Sequence, residues 1–425
     1  MPYFKPTDKA TLQTAVNTWI NDNTSALTTY GEINTWDTSL ITNMSYLFKD
    51  KTTFNSDISS WNTSAVTSMV GMFSGASAFN QPIGTWDTSA VTNVYFMFRG
   101  ASSFNQPIGA WNISAVRLMV YMFDGASAFN QPIGAWKPNA ARDMYGMFRN
   151  ASAFNQPINY NSVTGAWNIS NVTRTAEMFN GASVFNQDIG AWDTSKVTDM
   201  YQMFNRASSF NQPIGDWNIS NVTRTQNMFS NTSAFNQPIN YNSVTGAWNT
   251  SKVTHMAGMF QNASSFNQYI RSWNTYNVTE YTSMFLNATA MIATYSGTTG
   301  FGTTPTQDFF NQITLTNNAT LQTAVNSKPK FTPPQFFPKQ EPVNAEMNTN
   351  ARAQFSRSSY MCNKETLPSS MYTSVRKTTA VGKYAYNSAP TTTKSYSPND
   401  AKRALRRSRS SGCTAPRKKG SIYNI

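Results

Sequence analysis

The chain has 425 residues and a formal net charge of +13, with two Cys and one His. Only 12% of residues are charged while 14% are aromatic, so the chain can bury a core and is not simply a disordered polyelectrolyte. Two Cys cannot staple this length, no Cys/His spacing suits a metal, and one His removes most routes to acid–base or nucleophilic catalysis at neutral pH.

The charge is unevenly placed. Residues 1–326 hold 15 Lys/Arg and 16 Asp/Glu, a net of −1, whereas residues 327–425 hold 18 and 4, a net of +14. A near-neutral body carries a strongly basic tail, so whole-chain charge says nothing about the partners of the body. The opening Met1-Pro2-Tyr3-Phe4-Lys5-Pro6 has no apolar h-region and no cleavage site, and no lipid-anchor Cys follows it. No apolar run nears the roughly 18 residues of a membrane span. These features predict synthesis in the cytoplasm without classical export and no membrane span.

In chain order, the first predicted element is a helix over Asp8–Asn21, N-capped by Thr7, with Leu12, Val16, Trp19 and Ile20 on one face. Residues 1–33 are read as an N-terminal cap. Next comes a repeat. Trp stands at 36, 61, 86, 111, 136, 167, 192, 217, 248 and 273, spaced by 25 residues except for two spacings of 31. Self-similarity of this period predicts a solenoid of about ten coils over 34–290, each coil burying its apolar face against its neighbours. The two long units share an insertion, Tyr160–Gly165 and Tyr241–Gly246, each Tyr-Asn-Ser-Val-Thr-Gly. The insertions occupy one place in the unit, so they are expected to bulge from the same side.

Within a unit, Val66, Met69, Met72, Phe73, Phe79, Ile83 and Trp86 recur in register and are the expected core. The Asn after each second Phe (Asn55, Asn80, Asn105 and onward) predicts an internal ladder bonding backbone groups of adjacent coils. The Pro rank (Pro82, Pro107, Pro132) argues against a central strand there. The β-branched Ser-x-Val-Thr-x-Met segment is the better short parallel strand, followed by a short helical turn ending near Gly75, Gly100 or Gly125. The same Val, Met, Met, Phe spacing also fits a short helix starting at the Ser. Asp37, Asp87 and Asp193 alternate with Asn at one rank, which marks an Asx turn rather than a catalytic carboxylate. His255 falls at a variable rank and is expected at the surface. The rank after the first Met carries Tyr95, Tyr145 and Tyr201, the candidate protein-binding surface, with packing against the next coil as the competing role. Thr67, Thr92, Thr173, Thr198 and Thr223 align like an ice-binding rank, but charged neighbours such as Arg174, Asp199 and Arg224 argue against that use.

These units, exemplified by Trp192-Asp193-Thr194-Ser195-Lys196-Val197-Thr198-Asp199-Met200-Tyr201-Gln202-Met203-Phe204, with the lead-in Tyr30-Gly31-Glu32-Ile33-Asn34-Thr35-Trp36, resemble the BspA-like leucine-rich-repeat surface protein family over roughly residues 4–290. The resemblance implies a right-handed, leucine-rich-repeat-like solenoid used in adhesion or protein binding. It transfers no catalytic residue. Bacterial members normally carry an export signal or lipid anchor, and the opening Met1-Pro2-Tyr3-Phe4-Lys5-Pro6 predicts neither here.

Residues 291–326 are read as a C-terminal cap. There Ala319–Asn326 repeats Ala10–Asn17 letter for letter, as a second capping helix or the relic of a second array. From Ser327 a Pro-rich connector leads into an extended, disordered basic tail with spaced tyrosines. Its end, Ala404–Gly420, is similar to a C-terminal segment found on proteins of large DNA viruses of algae. Arg403, Arg406, Arg407, Arg409, Arg417, Lys418 and Lys419 are the candidate anchor. Such a tail can thread along an acidic protein surface, such as capsid proteins, or contact nucleic acid through phosphates and stacking. Cys362 and Cys413 can pair or stay free. The whole reads as a non-enzymatic structural or interaction protein without cofactor, a virion component whose solenoid is a spacer or binding surface. The alternative is a host-directed adhesin or intracellular binding protein, at the cell surface or in the cytoplasm, with a nucleic-acid-contacting tail.

Overall fold

The computed structural model describes residues 4–310, which lie in the first of two units, Met1–Phe331 and Thr332–Ile425. The repeated Ala319–Asn326 segment, both cysteines and the anchor residues Arg403, Arg406, Arg407, Arg409, Arg417, Lys418 and Lys419 lie outside the described residues.

Two helices open the described chain, α1 (Lys9–Asn21) and α2 (Asn23–Tyr30). The cap of α1 is Asp8, not Thr7: its side chain accepts the Thr11 N–H at 2.8 Å. Leu12, Ala15 and Val16 are buried, with Trp19 and Ile20 packed partly on the core. The sequence pattern did not suggest α2. Its N-cap, Asp22, accepts the Ser25 N–H while its own N–H closes α1 on Thr18. Phe4 packs on Tyr30 and Trp36, and the Lys5 ammonium sits 2.7 Å from Asp37 in the first coil.

Ten coils follow, one per Trp, and the aromatic ranks run through them, while the first Met rank is interrupted by buried Thr175 and Thr225. Phe48, Phe73, Phe98 and their successors stack on one another at 5.4–5.9 Å. A second column through Phe54, Phe79 and Phe104 stacks at 5.9–6.0 Å. The two columns touch at about 4.0 Å within each coil. A fully buried Phe is worth about 1.5–3 kcal/mol, and each aromatic pair adds roughly 0.5–1.5. The Trp rank is also buried. Each indole Nε1 from Trp61 to Trp273 donates to the Ile carbonyl of the preceding coil, for example Trp111 to Ile83 at 3.1 Å and Trp248 to Ile214 at 2.8 Å.

The expected short strands and helical turns are replaced by a different backbone. Among the described residues each coil contributes one bridge residue to a parallel series from Asn43 to Glu280, and Asn161 and Ala166 form a separate antiparallel bridge in the first insertion. The reason lies in where the N–H groups go. Met69, Gly71, Phe73 and Gly75 donate to Asn93, Tyr95, Met97 and Arg99 of the next coil. The intervening Met72, Ser74 and Ala76 donate back to Met69, Gly71 and Phe73 of their own coil. Alternate N–H groups are thus taken by tight turns, and a strand cannot extend. The turns need left-handed residues at the tenth and fourteenth places after each Trp. Positive φ occurs at both in all ten coils, for example Tyr46, Phe96, Glu177 and Gln202 at the tenth and Asp50, Gly75, Asn150 and Arg206 at the fourteenth. The glycines named in the sequence as turn ends therefore take that conformation, but they close turns of the coil and not helices.

The Asn ladder forms with a different setting from the one expected. Asn55 Oδ1 accepts the Asn80 N–H at 2.9 Å, and the same bond repeats through Asn267. It lies at the half-exposed margin rather than in the interior, with the Gln side chain of the following coil closing over it. The Asx turn is present with either residue: Asp87 Oδ1 accepts the Ser89 N–H at 2.9 Å, and Asn112 Oδ1 accepts that of Ser114 at 3.1 Å. The aligned Thr hydroxyls are taken up by carbonyls of the preceding coil, as in Thr92 to Thr67 and Thr198 to Thr173.

After the last Phe of the array, α3 (Thr289–Tyr295) and a 3-10 turn at Gln307–Phe309 close the coil. Thr303 O accepts the Phe285 N–H and Thr304 Oγ1 accepts that of Ser283, standing in for a next coil.

Two expected outcomes follow from this packing. Trp111→Phe keeps a ring in the column but removes the indole donor to Ile83 and leaves a void, so urea denaturation should show a loss of about 1–3 kcal/mol. The Lys5 ammonium, with Ser39 assisting, lowers the Asp37 carboxyl from 3.8 to about 2. A depressed carboxyl stabilises above its unfolded pKa and loses that contribution as protons bind. The protection factor of the Asp37 N–H, which donates to Phe4 O, should therefore fall, relative to its intrinsic exchange rate, as pH falls from 3.8 towards 2. Lys5→Met should weaken that dependence.

Candidate functional site

Two features distinguish the array from a uniform rod of coils. One is a face built from the bridge rank and the residues two, three and six places beyond it. The other is the pair of insertions.

On the face, the candidate tyrosines have defined neighbours and are all half-buried. Asp143 Oδ1 accepts the Tyr145 N–H at 3.0 Å, and Asp199 Oδ1 accepts that of Tyr201 at 3.1 Å. In each case the bridge-rank Arg of the next coil pairs with the Asp and lies over the Tyr ring: Arg174 at 4.8 Å from Tyr145, Arg224 at 4.9 Å from Tyr201. Tyr95 is capped by Asn93 and packs on Phe96, with Leu118 at the following bridge position. Tyr145 and Tyr201 are thus clamped by their neighbours, and Tyr95 has no Arg above its ring among the described residues. His255 sits half-buried in the same rank, its Nδ1 at 2.8 Å from Thr254 Oγ1, rather than free at the surface.

Beside Tyr145 lies an ionic cluster that the sequence pattern did not reveal. Asp124 and Glu177 are 5% and 7% exposed. Arg149 joins them, with Nε and Nη2 at 2.9 and 3.0 Å from Asp124 and Nη1 at 3.0 Å from Glu177. Arg99 adds a bond to Asp124, Tyr145 donates its hydroxyl to Glu177 at 2.5 Å, and the Arg149 guanidinium lies 4.6 Å from the Tyr121 ring centroid. Two cations meet two carboxylates, so the cluster is neutral and its desolvation is repaid only by complete pairing. Burial, and then the bond to Glu177, push the Tyr145 hydroxyl well above the usual tyrosine range. The available signal was local: Asp124, Arg149 and Glu177 occupy ranks that elsewhere hold mostly small or neutral residues.

The insertions leave the coil by the same route. In the first, Asn161 Oδ1 accepts the Val163 and Thr164 N–H groups, and Asn161 N–H donates to Ala166 O at 3.0 Å. Asn242 makes the matching bonds to Val244, Thr245 and Ala247. Val163 and Val244 at the tips are each 92% exposed. The core beneath is undisturbed: Trp167 and Trp248 enter with positive φ, yet their indoles still reach Ile133 and Ile214. At the foot of the first loop is an open cleft of about 290 Å³ lined by Tyr160, Asn168, Ile169, Ser170, Ala191 and Asp193. Among the described residues no group of three or more His, Cys, Asp or Glu could hold a metal ion, and no helix is long and apolar enough to cross a membrane.

The architecture is that of a tandem-repeat solenoid. The family described as "Mycoplasma protein of unknown function, DUF285" matches it four times in tandem, over residues 14–119, 83–166, 159–246 and 239–322, and the chain belongs to that family. No curated protein and no solved structure matches the chain.

Arg149→Met should expose the debt in the ionic cluster. It strips Asp124 and Glu177 of their shared cation, and thermal or urea unfolding should register a loss of about 3 kcal/mol. The deficit should shrink on acidification, and Arg149→Met/Glu177→Gln should recover part of it.

Proposed function

We propose that the chain is a non-enzymatic structural and interaction protein: a virion component whose BspA-like array is a spacer or binding surface and whose basic tail anchors it to the particle. The observation that carries this reading is the division of charge, with a net of −1 over residues 1–326 and +14 over residues 327–425. The body resembles a surface-protein array, and the tail end resembles that of large algal virus proteins. The array supports a scaffold role because many of its polar groups are spent on its own coils. The Asp rank makes Asx turns, the aligned Thr rank bonds backbone, and the charged rank is ion-paired. Arg403, Arg406, Arg407, Arg409, Arg417, Lys418 and Lys419 would engage acidic surfaces of capsid proteins.

Peptides of this chain should be found by mass spectrometry in purified virus particles, and deletion of residues 327–425 should remove it from them. Normal incorporation of the truncated chain would overturn the anchoring role. Tail binding to DNA that falls steeply with salt, without particle association, would favour a nucleic-acid-contacting protein instead.

A further inference from the structure

The cleft under the first insertion has the makings of a ligand site. Tyr160 forms one wall, packed partly on the core. Around it, three polar groups are oriented but not fully used. Asn168 spends its Oδ1 on the Ser170 N–H, at 3.0 Å, and Asp193 spends Oδ1 on the Ser195 N–H, at 3.0 Å. Asn168 Nδ2, Ser170 Oγ and Asp193 Oδ2 make no hydrogen bond among the described residues. The turns therefore hold a free amide donor, a hydroxyl and a carboxylate acceptor beside an aromatic ring, without a cation. A few fixed polar groups beside apolar surface are how small ligands are oriented. Donors and acceptors in this mixture match vicinal hydroxyls, the ring matches the C–H face of a sugar, and a lone carboxylate repels anions.

The second insertion repeats the setting by sequence. Tyr241, Asn249, Ser251 and Asn274 stand where Tyr160, Asn168, Ser170 and Asp193 stand in the first. Ser272 replaces Ala191, and its Oγ is buried without a hydrogen-bond partner. A hydroxyl left unpaired at the position that lines the first cleft is an independent pointer to a polar ligand. From these observations we infer that the feet of the two insertions are twin binding sites for neutral saccharide units, three coils apart on one side of the array. The inference rests on the array being a binding surface and is independent of how the tail anchors the chain.

Saturation-transfer NMR on the full chain, with glucose, galactose, mannose and N-acetylglucosamine and with sialic acid as the anionic comparison, tests this directly. At least one neutral sugar should bind weakly, and Tyr241→Ala, which keeps only the first site with its Asp193 carboxylate, should not bind sialic acid. Asp193→Asn keeps the Asx turn, because Asn fills that rank in neighbouring coils, but turns the free acceptor into a donor. Because Asn274 already fills that place at the second site, it should bring first-site affinity to that of the second site without changing the melting temperature. Tyr160→Ala should leave one site per chain and Tyr160→Ala/Tyr241→Ala none, with a lower melting temperature but a single cooperative unfolding transition. A neutral polysaccharide, and a glycoprotein before and after removal of its glycans, distinguish the two sources of the same chemistry. Either should bind on the order of 100-fold or more tighter than the free sugar when both sites can engage, and the single variant should lose that gain. Absence of binding by every neutral sugar and by both polymers, equal binding of sialic acid and neutral sugars by Tyr241→Ala, or binding that survives the double Tyr variant would overturn the inference. Failure here would leave particle association unaffected, and failure of particle association would leave sugar binding measurable.

Discussion

The structure depends on how a coil of 25 residues disposes of its backbone N–H groups. In the segment after each Trp they alternate, one to the next coil and one back three residues into a turn. This alternation brings successive coils into register while curling each one tightly enough to return after 25 residues. It also dictates two left-handed residues per coil, at roughly 1–2 kcal/mol each when they are not Gly. That cost is offset by the aromatic columns, which only a tightly returning coil can bring into stack.

Much of this was legible because repetition averages out local noise. The Trp spacing marks the array and the recurring Met-Phe, Phe and Ile positions mark its core. Interchange of Asp and Asn identifies a turn rather than an acid. The fourteenth place after each Trp also advertises its conformation, since it is Gly, Asn or Asp in every coil but that of Arg206. The tenth place hides it. Tyr46, Phe96, Tyr121, Glu177 and Gln202 all adopt positive φ there, and β-branched neighbours make the preceding segment look like a strand. Tyr121 shows why a large side chain survives: its ring lies over Gly146 of the next coil, where an added Cβ would come within 2.4 Å. The helix α2 was missed because Asn, Thr and Ser dominate it, and it exists through Asp22 and packing against α1 rather than by propensity.

Sites were harder to read than the frame, because a site is made by departures from the repeat. The ionic cluster arises where three unusual residues fall in consecutive coils, and proximity follows only once the coil geometry is known. The insertions were visible as extra letters. Their chemistry was not, since the cleft borrows Asn168 and Ser170 from one coil and Ala191 and Asp193 from the next. A half-used turn residue looks the same in sequence as a fully used one.

The forward bonds between coils give the array a chemical direction. At each junction four N–H groups of the Met-Phe segment point ahead to carbonyls of the following coil, while the Thr and Asn ranks and the Trp indole donate back to the preceding one, so the two ends of the stack present different patterns of donors and acceptors. The closing segment meets two forward-pointing N–H groups of the last coil, those of Ser283 and Phe285, with Thr304 Oγ1 and Thr303 O. Any whole number of coils can be copied into the middle with every donor still facing an acceptor, whereas an inverted block would set donor against donor. Such an array lengthens by duplication as a row of identical plugs and sockets does, and its end pieces need never change.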